Sequence, residues 1–267
     1  MLDMEDLQAR LVVAMAAARA GGRLLLDHYA RRDLLVIDQK GRNDFVSQAD
    51  RESEVVIFAM LEQAFPGDAL LGEESGQAGA VGADVVWCVD PLDGTSNFLH
   101  GAHNWCVSIG LVERGVPVLG VIYDPLRDEM FAGAKGIPLT VNGVPTRVST
   151  EAALDRAVIS LGHNARVPLE LFGAQTLRLL ATGAAFRQLG AGALMLAYVA
   201  AGRFEAYYEW HMWPWDAVAG LAMIEAAGGR YAPYLQGDIA AGGRVLASNA
   251  MLFDPMAAII QPENNAV

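Results

Sequence analysis

The sequence predicts a mixed α+β fold built in two halves, and three observations carry that expectation. Leu7, Leu11, Met15, Ala18, Leu25 and Leu26 recur at helical spacing near the start of the chain. Between residues 85 and 132 the apolar residues come instead in short β-rich runs, two of them joined across Glu113-Arg114-Gly115. From about residue 150 short strands and helices alternate, the pattern of an α/β layer. The expected division is an N-terminal α+β half over residues 1–150 and a C-terminal α/β half over residues 151–267.

In chain order, residues 4–30 read as one long amphipathic helix with Gly21-Gly22 as the place for a bend. A second helix runs from about residue 49 to 65, with Ser47 as its cap, Asp50 in its first turn and Pro66-Gly67 at its end. Residues 69–71 form a strand that ends in the acidic turn Gly72-Glu73-Glu74-Ser75. The apolar strand 85–89 runs into Asp90-Pro91-Leu92-Asp93-Gly94, so both strands end in carboxylates. Residues 105–112 and 116–123 make an antiparallel hairpin, and 129–132 adds a strand. The second half follows with strand 158–161, a helix from Pro168, strand 185–189, helix 193–201 and strand 205–208. A helix from Pro214 or Trp215 to Ala227 has proline at its start and Gly228-Gly229 at its end; strand 245–247 and a last helix close the chain.

The 267 residues carry a formal net charge of −12. That balance repels polyanions, so neither nucleic acid nor an acidic membrane is an expected partner, while a small anionic substrate can bind if cations intervene. Cys88 and Cys106 each sit inside an apolar run, which suits buried, reduced thiols. Asp3, Glu5, Asp6, Arg10, Arg19 and Arg23 interrupt the early apolar stretches, so neither a signal peptide nor a membrane span is expected, and the expected location is the cytoplasm.

Glu73, Asp90 and Asp93 lie at strand ends and in turns, where like charges raise one another's pKa unless a cation joins them. Oxygen-only donors suit magnesium or calcium rather than zinc, and none of the five histidines has a metal-ligand spacing. Pro91 fixes the backbone so that a tight turn can present both Asp90 and Asp93 with the carbonyl between them. Gly94 lets backbone amides approach an anion, and those of Gly94 and Thr95 would point at a phosphate if they open a short helix. A solvated surface turn reads the same stretch equally well. The balance tips because segments 72–75, 90–98 and 209–216 contain no Lys or Arg, so metals must neutralise a phosphate there. Two metals would polarise the phosphoryl oxygens, acidify a water and stabilise the departing alkoxide.

These residues resemble the inositol monophosphatase family. Its two signatures read here as Trp87-Cys88-Val89-Asp90-Pro91-Leu92-Asp93-Gly94-Thr95-Ser96-Asn97-Phe98 and Trp215-Asp216-Ala217-Val218-Ala219-Gly220. Gly72-Glu73-Glu74-Ser75 and Asp44-Phe45-Val46-Ser47-Gln48-Ala49-Asp50 match further, and in order these motifs cover most of the chain. The resemblance implies a layered α-β-α-β-α sandwich of the inositol monophosphatase and fructose-1,6-bisphosphatase type, with metals between the halves. It implies that Glu73, Asp90 and the carbonyl of Leu92 hold a first magnesium, that Asp90, Asp93 and Asp216 hold a second, and that a third, weaker one leans on Glu73. Glu73, Thr95 and Asp50 would serve catalysis, Thr95 with Asp50 helping to deprotonate a water for in-line attack without a covalent phosphoenzyme. Asp93, Gly94, Thr95, Gly192, Glu209 and Asp216 would contact the substrate, Glu209 by accepting from its hydroxyls. Lithium sensitivity and a homodimer are implied on the same basis.

Several of these residues have plainer readings when taken singly. An acid in the first turn of a helix, as at Asp216 or Asp50, offsets the macrodipole; Thr95 can be a simple cap, and Glu209 a solvated strand-end charge. The segment 187–193 departs from the family pattern, with Ala191 where Ser or Thr is usual and Gly192 where Ala is usual. Trp210, His211, Met212, Trp213 and Trp215 read as packing or as an aromatic wall beside the leaving group, and His100 and His103 as loop residues. The expected reaction is magnesium-dependent hydrolysis of a small polyol or sugar phosphomonoester, inositol 1-phosphate first. Histidinol-phosphate phosphatase, fructose-1,6-bisphosphatase and 3′(2′),5′-bisphosphate nucleotidase are alternatives, the last disfavoured by Ser96 where such enzymes often carry Lys. A non-catalytic regulatory protein is the alternative of another class, and a calcium-binding structural module is disfavoured because no EF-hand loop occurs.

Overall fold

The computed structural model describes residues 1–34, 37–41, 44–78, 83–164 and 166–260. Asp3 caps the first helix, α1 (Met4–Tyr29), in a reciprocal pair with Asp6. The helix continues through Gly21-Gly22. Those glycines answer to packing instead: a Cβ at Gly21 would lie 2.7 Å from Ser53 Oγ, and one at Gly22 2.6 Å from the Tyr123 ring. Strands β1 (Ile37–Gly41) and β2 (Asp44–Ser47) form an antiparallel ribbon that leads into α2 (Gln48–Ala64). The side chain of Ser47, the expected cap, lies outside the described residues.

Eight strands make the first sheet: β3 (Ala69–Gly72), β4 (Gly76–Ala78), β5 (Val85–Asp93), β6 (Cys106–Glu113), β7 (Val116–Asp124), β8 (Glu129–Ala134), β9 (Ile137–Val141) and β10 (Val144–Pro145). Their order is β10-β9-β8-β7-β6-β5-β3-β4, with only the β3–β5 pair parallel. The β6–β7 hairpin turns on Arg114-Gly115, at φ 50° and 80°, the two left-handed residues that match the twist of the flanking strands. A short helix, α3 (Thr95–Leu99), follows β5.

The second sheet has the order β12-β11-β13-β15-β14, from β11 (Val158–Leu161), β12 (Ala185–Arg187), β13 (Ala206–Met212), β14 (Arg230–Tyr231) and β15 (Gly243–Ser248). Between its strands run α4 (Leu169–Ala181), α5 (Gly192–Ala200) and α6 (Pro214–Ala226), and α7 (Phe253–Ile260) follows. Alternation along the strands divides the apolar residues among three cores. Trp87 and Val89 face α1 and α2, whereas Val86 and Cys88 face α5 and α6. Tyr207 and Ala247 face the same central helices from the second sheet, and Tyr208 and Leu246 face α4 and α7. The result is the layered α-β-α-β-α sandwich expected from the sequence.

Two differences have physical causes. Strands β1, β2, β4, β9, β10 and β14 escape sequence reading because they are two to five residues long and take their partners from neighbouring strands rather than from an apolar pattern of their own. Strand β5, expected to end before Asp90, continues through Pro91 to Asp93. It can do so because a bulge absorbs the proline, which has no N–H for the ladder.

Candidate active site

That bulge shapes the site. Asp90 pairs with Ser108 and Asp93 with Cys106, so three steps on β5 oppose two on β6. In an unbroken strand residues 90 and 93 would point to opposite faces; the extra residue cancels that alternation, and the two carboxyls act on each other electrostatically. Within the bulge the Leu92 N–H donates to Asp90 Oδ1 at 2.8 Å. Gly94 then turns the chain into α3 at φ 88°, where a Cβ would also lie 2.8 Å from the Asn104 carbonyl oxygen.

Thr95 Oγ1 lies 3.1 Å from Asp50 Oδ1 and 3.0 Å from the Leu92 carbonyl oxygen, and its single proton serves one acceptor at a time. Asp50 is fully buried in the first turn of α2. Helix α2 touches two further segments: Ser53 Oγ donates to the Pro91 carbonyl, and Glu54 accepts the N–H of Glu74 in the acidic turn.

Asp93 reaches across the molecule. Its Oδ1 accepts the Gly192 N–H at 3.1 Å, and its Oδ2 accepts those of Ala193 at 2.8 Å and Leu194 at 3.3 Å, with Cys106 Sγ at 3.6 Å. A residue of the first sheet thus satisfies the free amides at the start of α5, roughly a hundred positions later. Burial pushes the Asp93 carboxyl up to about 6 against the pull of those amides. Burial, with Glu73, Asp216 and Asp93, holds the Asp90 carboxyl well above the carboxylate range. Asp216, in the first turn of α6, is raised by burial and by Glu73, Asp93 and Glu209. Among the described residues no three of these side chains already converge as a ligand cage, in keeping with Asp93 being turned toward α5. Their donor chemistry, buried carboxylates beside one another with carbonyl oxygen at hand, fits a hard divalent cation.

A cavity of about 210 Å³ opens beside these acids, with Asp93, Asp216, Gly192, Tyr207, Glu209 and Asn164 in its wall. Glu209 Oε2 accepts from the Tyr207 hydroxyl at 2.5 Å and Oε1 from Asn164 Nδ2 at 2.8 Å. Burial raises the Glu209 carboxyl, and both donors oppose the rise. It is therefore a fixed acceptor and not a solvated strand-end charge. The strand makes Tyr207 its partner, since residues two apart share a face. Gly162 admits the pair, because a Cβ there would lie within 2.3 Å of both Glu209 Oε2 and the Tyr207 hydroxyl.

Sequence reasoning missed Tyr207, Asn164, Gly162 and Glu54. For Tyr207 a signal existed, its spacing of two from Glu209; for the others the partner is far along the chain and no local pattern marks it. Of the aromatic and soft cluster, Met212 lines the cavity. Trp213 stacks on Trp215 with centroids 5.5 Å apart, and Trp210 packs on Tyr208 and donates to Gln175. His100 and His103 are exposed, His100 against the Ser96 carbonyl at the end of α3. Cys88 and Cys106 are free and buried.

Comparison with known proteins matches residues 6–264 to the inositol monophosphatase family. The chain is 35% identical to the Nus factor SuhB of Pseudomonas aeruginosa over 96% of its own length and 97% of that protein. It is 36% identical to the inositol-1-monophosphatase of Synechocystis over 92% of its length and 87% of that protein. The solved structure of an inositol monophosphatase from Anabaena superposes with a TM-score of 0.84 at 35% identity, covering 96% of each chain.

Proposed function

The chain belongs to the inositol monophosphatase family, and on that premise we propose that it hydrolyses the phosphomonoester of a small polyol or sugar, inositol 1-phosphate foremost, with magnesium. The observation that carries this reading is the gathering of Asp90 and Asp216 with Glu73 and Asp93, whose charges raise the pKa of both, beside a polar cavity that Asp93, Asp216 and Glu209 line together with Arg166. Glu73, Asp90 and the Leu92 carbonyl would hold one magnesium; Asp90, Asp93 and Asp216 would hold a second. A third, weaker one would lean on Glu73. Bound there, the ions neutralise the phosphate, acidify the attacking water and stabilise the leaving alkoxide. In this reading residues 1–150 supply most of the ligands, and residues 151–267 supply Asp216 and the contacts to the alcohol.

The chain's own groups do the rest. Asp50 holds the Thr95 hydroxyl, which leaves a lone pair of Thr95 Oγ1 for a proton of the attacking water. As the water oxygen bonds to phosphorus in line with the breaking P–O bond, that proton passes to Thr95 and the proton of Thr95 to Asp50. The departing alkoxide is protonated from solvent, and no phosphoenzyme forms. The amides of Gly94 and Thr95 orient the phosphate. Glu209, fixed by Tyr207 and Asn164, accepts from hydroxyls of the alcohol, with Gly192 completing the wall.

A second reading, a regulatory protein that works through a partner, is favoured by the 35% identity to a protein named as a Nus factor. The test is phosphate release from inositol 1-phosphate, glycerol 2-phosphate, histidinol phosphate, fructose 1,6-bisphosphate and adenosine 3′,5′-bisphosphate, each with magnesium and with chelator. Turnover of one substrate that chelator abolishes supports the phosphatase; no turnover of any with magnesium moves the regulatory reading to first place.

A further inference from the structure

Three hydrogen bonds leave one face of α2 for the segments that carry the acids. Asp50 meets Thr95 at 3.1 Å, Ser53 Oγ donates to the Pro91 carbonyl at 3.4 Å, and Glu54 Oε2 accepts the Glu74 N–H at 3.0 Å. Residues i, i+3 and i+4 share a helix face, so one rigid element spans both the bulge of β5 and the acidic turn after β3.

The turn needs such a support. Pairing between β3 and β5 carries the chain as far as Glu73, whose N–H donates to the Val89 carbonyl at 3.1 Å. Beyond it the chain leaves the parallel pair and reverses through residues 73–75 into β4. Glu54, 4% exposed, reaches this reversal from α2.

Gly72 makes room for it. A Cβ at that position would lie 2.2 Å from Glu54 Oε2 and 2.8 Å from the Phe58 ring. Gly72 is not among the residues of positive φ, so glycine is required there by the approach of Glu54 and not by the backbone conformation of a turn.

We propose that Glu54 is a positioning residue for the reaction: through the Glu74 N–H, and through the gap left by Gly72, it sets the turn that aims the Glu73 carboxylate at Asp90. This rests on the phosphatase reading. A carboxylate accepting an N–H makes one of the stronger classes of hydrogen bond, and losing an outer partner of a ligating group costs roughly 10–100-fold in metal affinity or activity.

The test compares Glu54→Asp, which withdraws the acceptor by one methylene, with Glu54→Gln, which keeps an oxygen at full reach. In Glu54→Asp the Glu74 amide should lose its hydrogen-exchange protection, kcat should fall roughly 10–100-fold, magnesium half-saturation should rise, and KM for the substrate should hold. Glu54→Gln should stay close to the unsubstituted protein on all four. The proposal is overturned if Glu54→Asp keeps kcat and magnesium half-saturation, or if Glu54→Gln falls as far as Glu54→Asp. Absence of magnesium-dependent turnover in the unsubstituted protein defeats the phosphatase reading instead. Positioning is then judged by Glu74 amide protection alone, which Glu54→Asp must lose and Glu54→Gln must keep.

Discussion

At Asp93 the carboxylate proposed as a metal ligand also accepts three backbone N–H groups of α5, so its substitution disturbs two things at once. Asp93→Asn should nearly abolish turnover and also lower stability by about 1.5–3 kcal/mol, the range for hydrogen bonds to a charged group. Phosphate release and a thermal melt on one sample check both, and normal activity in that variant sinks the two-metal assignment. Thr95 is a cleaner probe, because its hydroxyl is half-buried and small. Thr95→Ala should lower kcat about 10²–10⁴-fold, the range for a positioned proton carrier, with little change in KM. Thr95→Ser should retain most of the rate, and equal losses in the two variants would count against a role for the hydroxyl. The signature motifs made these residues legible. The hydrogen bonds that fix them were not, since Gly192 to Leu194 lie a hundred positions from Asp93 and nothing local records the contact.

Among the elements, the segment between the two sheets shows how one acid can pin a turn. Glu151 accepts the N–H groups of Ala152 and Ala153 and a paired contact from Arg156, and these partners, the Arg156 contact first, lower its carboxyl from 4.5 to about 2. Because the folded pKa is depressed, the stabilisation is present above pH 4.5 and is lost as pH falls through about 2. Glu151→Gln should therefore melt below the unsubstituted protein at pH 6, and the difference should shrink steadily below pH 4.5. A gap in melting temperature that persists unchanged to pH 2 would contradict the assignment. Strand β5 teaches a different point: Pro91 read as the end of a strand, yet a bulge lets the strand pass, and that bulge is what sets Asp90 beside Asp93.

For the whole molecule, the five layers place α5 and α6 between two sheets, so the second half delivers Asp216 and the α5 amides to acids of the first. Among the described residues no helix is long and apolar enough to cross a membrane. Lithium should lower magnesium-supported turnover, as the family resemblance implies, and insensitivity across a lithium titration would count against the second magnesium site. On the same basis the chain should sediment as a homodimer in analytical ultracentrifugation, and a single species at 28.5 kDa would contradict that.

By itself the sequence determined the order and type of the long elements, and it pointed to the acids at the strand ends and helix starts. Those are local properties: a helix or a strand imposes its period on its own residues, and a motif lies within a few positions. Tertiary structure alone decided that Glu209 is held by Asn164, that Asp93 serves the start of α5, and that Gly72 yields its space to Glu54. Each joins segments brought together only by packing the layers, and a hydrogen bond between distant segments leaves no period in the chain to read.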